Sequence, residues 1–132
     1  MVHLHQIASD DFILLEADQT VAEAIETVQR LKPAAIVVHR VHKDSIYHYL
    51  YIAQEFLSRL AYANADLRLV DALNLHEWQA TPDLDAYHDA EATPPRCVVT
   101  DGDRVVGFYD VALHPADTRR EAKKDVGLPS PR

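Results

Sequence analysis

The chain is poor in the residues that several kinds of chemistry require. Only three of its 132 residues are glycine (Gly102, Gly107 and Gly127), too few for a phosphate-cradling loop, in which clustered glycines let backbone N–H groups close on an anion. No serine stands in a Gly-x-Ser-x-Gly elbow, so the hydrolase nucleophile turn is missing. The one cysteine, Cys97, cannot close an internal disulfide. Placed in an apolar run, it reads as a buried, inert thiol in a reducing compartment. Basic residues are in deficit: 13 Lys and Arg stand against 21 Asp and Glu, a formal net charge of −8, which argues against a nucleic acid or an anionic membrane as the main partner. No apolar stretch approaches the roughly 20 residues of a membrane span, and Met1-Val2-His3-Leu4-His5 is not a basic region leading into a long apolar one. The expected location is cytoplasmic.

What is present suits one globular domain. Hydrophobic residues make up 48% and charged residues 26% of the chain, ordinary globular proportions, and at this length about two thirds of the unfolded surface can be buried. Asp11 to Leu15 reads as a strand. Thr20 and Glu23 form a capping box, and Val21, Ala24, Ile25, Val28 and Leu31 follow helical spacing until Pro33. Ala35 to His39 and Ile46 to Ile52 read as two strands joined by a polar turn. Ala53, Phe56, Leu57, Leu60 and Ala61 then mark the buried stripe of a helix running to about Asn64.

The same order recurs, approximately, in the remainder. Leu67 to Leu75 reads as a short helical stretch, Glu77 to Ala80 as a strand, and Asp83 as the cap of a helix running to about Ala92, ended by Thr93-Pro94-Pro95. Arg96 to Thr100 and Arg104 to Tyr109 flank Asp101-Gly102-Asp103, a strong hairpin signal. Aligning Ile36-Val37-Val38 with Cys97-Val98-Val99 sets the halves 61 residues apart; the helix starts at Thr20 and Asp83 ask for a helix about one turn shorter in the second copy. From Pro115 onward the chain is nearly all polar, then linker-like, and reads as a solvated helix or tether.

Thr20-Val21, Ala24-Ile25, Val37-Val38, Asp101-Gly102 and Val105-Val106-Gly107 together resemble the skeleton of a tandem CBS-domain pair, over roughly Ile7 to Leu113. The resemblance implies an α+β fold of two β-α-β-β-α repeats related by a pseudo-twofold axis. It places repeat 1 at about 7–64 and repeat 2 at about 67–113, within a pair spanning 1–114, and leaves 115–132 as the polar C-terminal tail or linker. It further implies dimers, clefts between the repeats and regulatory binding of adenine nucleotides. The family's nucleotide motif ends the last strand with Gly-x-hydrophobic-Thr/Ser-x-x-Asp/Asn. Here Gly107 puts Asp110 at the hydroxyl position, where a carboxylate repels phosphate, and Leu113 at the carboxylate position. The first-half equivalents are taken as Leu50, Ala53 and Phe56. Family-type AMP or ATP binding is therefore not expected, and no cofactor is assigned.

Eight histidines raise the question of metal. His3-x-His5 would share a strand face, His39-x-x-His42 is the next closest pair, and His76-Glu77 lacks the second histidine of a zinc-protease helix. Surface or core-edge histidines are the expectation, with no metal site. Asp83, Asp85 and Asp89 read as a solvated helix face, not as paired catalytic carboxylates. Tyr47, Tyr49 and Tyr51 alternate along one strand. They suit either cross-strand packing beneath a helix or a recognition surface, an interface or the aromatic wall of a cleft, which Tyr109 and Asp110 would share if the two tyrosine faces converged. The sequence thus points to a non-catalytic CBS-like regulatory or sensing module that forms a homodimer or docks to an effector, with a small-molecule ligand between its repeats. The alternatives are a purely structural dimerisation or adaptor domain and a histidine-based metal-binding protein.

Overall fold

In the computed structural model, which describes residues 1–113, the first half follows the expected order: β1 (Phe12–Glu16), α1 (Val21–Leu31), β2 (Ala35–His42), β3 (Ser45–Ile52) and α2 (Ala53–Leu60). The capping box forms as read. Thr20 Oγ1 accepts from the Glu23 N–H at 3.2 Å and Glu23 Oε1 accepts from the Thr20 N–H at 3.1 Å, satisfying two otherwise orphaned helix donors. The helix ends on Lys32 in the left-handed region (φ 49°), whose N–H donates to the Val28 carbonyl, just before Pro33 forbids continuation. Lys43 and Asp44 both take positive φ, as a two-residue type I′ turn requires, so the strands extend closer to the turn than the apolar pattern alone indicates.

The second half repeats the sheet but not the helices. Its elements are α3 (Leu69–Ala72), a 3-10 turn at Leu75–Glu77, β4 (Asp83–Asp85), a 3-10 turn at Ala90–Ala92, β5 (Arg96–Asp101) and β6 (Arg104–Asp110). Each half forms a three-stranded sheet in chain order, its first pair parallel and its second antiparallel. Two expectations fail here. The strand read at Glu77 to Ala80 lies instead at Asp83–Asp85, and the helix read from Asp83 to Ala92 is reduced to one 3-10 turn. Local side-chain bonds explain the change: Asp85 Oδ1 accepts from the Tyr87 N–H at 2.7 Å and Asp89 Oδ1 from the Glu91 N–H at 3.0 Å, turn geometries that compete with a helix. The tail read from Pro115 onward lies outside the described residues.

The N-terminus supplies the layer this missing helix leaves open. A 3-10 turn at Leu4–Gln6 buries Leu4 completely against Ala86, Cys97, Val99 and Tyr109. It is tied down by Leu4 N–H to His88 O at 2.7 Å and Ala90 N–H to Val2 O at 2.8 Å. Ser9 then exchanges both backbone hydrogen bonds with Phe108, each 2.9 Å. Side chains alternate along each strand, so the core has three parts. Val37 and Leu50 meet Val98 and Phe108 between the two sheets. Ile36, Val38, Tyr49 and Tyr51 face Phe56, Leu60 and α1 on the outside of the first sheet, and the N-terminal turn covers the outside of the second.

Gly107 is required where the N-terminal segment crosses β6, since a Cβ there would stand 2.7 Å from the Ser9 carbonyl oxygen. Gly107→Ala should therefore destabilise the domain by about 1–3 kcal/mol, as overpacking against backbone does, read as a lowered urea midpoint; an unchanged midpoint would show that the crossing yields freely. Burial pushes the Cys97 thiol from its ordinary 9.0 up to about 12 and the Tyr51 phenol from 10.0 up to about 12. The unfolded chain loses these protons first, so stability should fall as pH rises from about 9 towards 12, and Cys97→Ala should flatten the lower part of that decline in denaturant titrations.

Candidate ligand cleft

A cleft of about 460 Å³ opens beside β3, walled by Tyr51, Glu55 and Arg59 on one side, by the Trp78–Pro82 segment on the other, and by Arg96 at its inner end. The fold positions these groups simply. Glu55 and Arg59 lie one helical turn apart on α2, their side chains 3.8 Å apart. Trp78 stands on the coil that carries the chain to the second half, held there because the Thr81 N–H donates to His48 O at 2.8 Å and Thr81 Oγ1 accepts from the Leu50 N–H at 3.0 Å. The Arg59 guanidinium sits 5.8 Å from the Tyr51 ring centre and 5.6 Å from that of Trp78, a cation between two aromatic faces. Trp78, the only tryptophan, is 56% exposed.

Arg96 joins the halves. Its Nε donates to Asp110 Oδ2 at 2.6 Å, and its Nη1 donates to the Leu50 carbonyl at 3.1 Å and lies 3.2 Å from Glu55 Oε1. Asp110 is only 3% exposed and its other oxygen accepts from the Ala112 N–H at 2.8 Å. The carboxylate at the family's phosphate-contacting position is thus a buried partner of an arginine.

The tyrosines divide. Tyr49 and Tyr51 are buried beneath α2, in the packing alternative, although both reach cleft walls. The Tyr49 hydroxyl accepts from Arg40 Nη1 and donates to Leu75 O, each at 3.4 Å. Tyr47 is 36% exposed and lines a neighbouring groove with Trp78, Arg40 and His76. Tyr109 packs on the far side of the other sheet, with Cys97 and Leu4. The two tyrosine faces therefore do not converge: Val38 pairs with Tyr49 and Cys97 with Tyr109 on outer faces, while Val37, Leu50, Val98 and Phe108 meet between the sheets.

Strand pairing also corrects the first-half register. Gly107 pairs with Val99 and Tyr49 with Val38, so the counterparts of Asp110 and Leu113 are Ile52 and Glu55, not Ala53 and Phe56. The carboxylate position is filled after all, but Glu55 is held by Arg96 and by the Ile52 N–H, and the hydroxyl position is apolar. Arg59, Trp78 and Arg96 escaped the sequence reading: an arginine four residues after a glutamate on a helix, and another opening a strand, look like ordinary surface charges, and only the solitary tryptophan was a signal. Among the described residues no group of three or more His, Cys, Asp or Glu side chains is placed to hold a metal ion, and no helix is long and apolar enough to cross a membrane.

A family model described as ternary complex associated domain 7 matches residues 8–108. No curated protein sequence matches the chain. Similar solved structures include an acetoin utilization protein from Vibrio cholerae (TM-score 0.60, 8% identity, covering 98% of this chain and 99% of that one). A hexameric CBS-CP12 protein from bloom-forming cyanobacteria gives TM-score 0.61 at 14% identity, over 91% of this chain and 74% of that one. The soluble part of a magnesium transporter gives 0.62 at 17% identity, over 91% and 48%. At these identities the likeness is one of fold, and the fold is of CBS type, as the repeated skeleton implied.

Arg96→Met should lower stability by about 2–3 kcal/mol, because it removes the guanidinium that pairs with buried Asp110 and bonds the Leu50 carbonyl, while adding Asp110→Leu should recover part of the loss. Urea melts of the two variants check this. Equal stability of wild type and Arg96→Met would remove Arg96 from its structural role.

Proposed function

The chain belongs to the ternary complex associated domain 7 family, and from that premise and the cleft geometry we propose that it is a non-catalytic regulatory module of CBS type, which takes an anionic group at Arg59 and docks to a second protein surface. The observation that carries the reading is Arg59 held between Tyr51 and Trp78 at a cleft mouth. Stacking fixes the guanidinium plane in advance, so less side-chain freedom is lost when a carboxylate or phosphate meets it. The family-type nucleotide contacts do not support the same ligand, since Ile52 offers no hydroxyl and Glu55 and Asp110 are both engaged by Arg96.

Docking rests on a second feature. Tyr47 and Trp78 are exposed along the Tyr47 groove, whose other walls include Arg40, His42 and His76: an aromatic patch with basic residues on a chain of net charge −8, suited to an acidic and apolar partner surface. The family description names association with a ternary complex, which accords with an effector partner, and a homodimer would use the same patch. The mechanism is population shift. A ligand or partner with unequal affinity for two arrangements of the halves moves the effector's equilibrium by that difference.

Trp78 reports on the cleft directly. Titration with citrate, inorganic phosphate, AMP and ATP should change its fluorescence and raise the melting temperature with citrate or phosphate, and Arg59→Ala should weaken the response tenfold or more. No response to any of the four would overturn the ligand reading. For docking, Tyr47→Ala is the informative variant because Tyr49 and Tyr51 are structural: a drop from dimer to monomer mass by light scattering supports the patch as the homodimer contact, and an undiminished dimer removes it.

A further inference from the structure

A row of four side chains crosses the first sheet at one level: Glu16, His39 and His48 are neighbours in the β1-β2-β3 register, and Asp83 reaches the row from β4. The two imidazole centres lie 5.4 Å apart. His39 Nδ1 is 2.9 Å from Glu16 Oε1, and His48 Nδ1 is 3.0 Å from both oxygens of Asp83. An ionised carboxylate can only accept, so in both rings Nδ1 carries the donated proton. In that tautomer Nε2 is the ring atom with a lone pair to offer a metal. Neither Nε2 has a hydrogen-bond partner among the described residues, although His48 is 94% buried (6% exposed), and a buried polar atom left unpaired calls for a ligand or water.

We propose that His39 and His48 form a two-histidine chelate for a late first-row divalent ion, with Glu16 and Asp83 as the carboxylates that orient them and water or a partner's side chain completing the shell. Three points converge on this. Metal-binding histidines characteristically donate the other ring N–H to a carboxylate, and here both rings do so, to carboxylates on opposite flanks of the pair. Metal–nitrogen bonds of about 2.0–2.1 Å set two chelating imidazole centres on the order of 5 Å apart, close to the observed spacing. An all-imidazole pair selects copper, nickel or zinc over magnesium. The chelate spans strands and lies beside the contact between the halves, which is why the spacing of histidines along the chain gives no hint of it.

The test titrates the full chain with Zn2+, Cu2+ and Mg2+ alone. One equivalent of Zn2+ and of Cu2+ should bind, the copper spectrum should show two imidazole nitrogens by electron paramagnetic resonance, and Mg2+ should not bind. His39→Ala, at the more exposed member of the pair, should weaken Zn2+ tenfold or more, and Glu16→Gln, which touches no metal, should weaken it about tenfold. The His3→Ala, His5→Ala variant should leave affinity unchanged. Absence of Zn2+ binding, or affinity that survives His39→Ala but falls with the His3 and His5 changes, would overturn the assignment; should His48→Asn fail to fold, the His39 and Glu16 variants decide alone.

Discussion

The structure depends above all on the arginine that opens β5. Arg96 reinforces a thin apolar seam between the halves, Val37 and Leu50 against Val98 and Phe108, alongside the Thr81 and Asp83 contacts to His48. It also pairs with Asp110, which is almost wholly buried. The guanidinium satisfies Asp110 in its own half and the Leu50 carbonyl and Glu55 in the other. Replacing one charge in such an arrangement leaves another stranded in low dielectric, so the residues survive or fail as a set. Geometry specifies the pairing as well: Arg96 uses two separate nitrogens of a rigid plane, Nε towards Asp110 and Nη1 towards the Leu50 carbonyl and Glu55, a spread that the point-like ammonium of a lysine does not reproduce.

The halves differ outside their sheets for local reasons. The first sheet carries two helices on its outer face, each with its own apolar stripe. The second has no apolar run between β4 and β5 long enough for one, because Asp85 and Asp89 bind nearby backbone donors and Pro94-Pro95 cut the segment short. Its exposed face is covered instead by Leu4 and the turn around it, brought over by the Ser9 and Phe108 hydrogen bonds. The chain's first residues are thereby part of the second half's core, and the duplication is complete in topology but not in covering.

Much of this was legible in the sequence, and what was not has physical reasons. The Thr20 capping box, the Asp101-Gly102 turn and the β-branched runs at Ala35 and Arg96 each depend on local chemistry, which a sequence displays. The tyrosine alternation was equally plain, but whether a face meets helix or solvent is decided by the other sheet. There Val98 and Phe108 pack against Val37 and Leu50, which leaves Tyr49 and Tyr51 on the outer face beneath α2. The first-half register differs by one residue from the sequence expectation because it is fixed by pairing across the ladder, Val38 with Tyr49 and Val99 with Gly107, which the order of residues along the chain does not display. Arg96 and Arg59 were invisible because a charged residue announces itself equally in solvent and in a buried network.

The correction of that register bears on what the cleft can do. Glu55 now stands where the family places its ribose carboxylate, yet it lies between two arginines, 3.2 Å from Arg96 and 3.8 Å from Arg59. An anion arriving at Arg59 competes with Glu55 for one guanidinium, and Glu55, released from it, is free to engage Arg96 more closely. Arg96 in turn holds Asp110 and the Leu50 carbonyl across the seam. A charge bound at the cleft mouth is thus one shared carboxylate away from the contact that fixes the two halves, and reciprocity requires that whatever shifts that contact also changes the affinity at Arg59. On the proposed function, Glu55, shared between Arg59 at the cleft and Arg96 at the contact between the halves, is the physical path by which a bound anion would act on that contact.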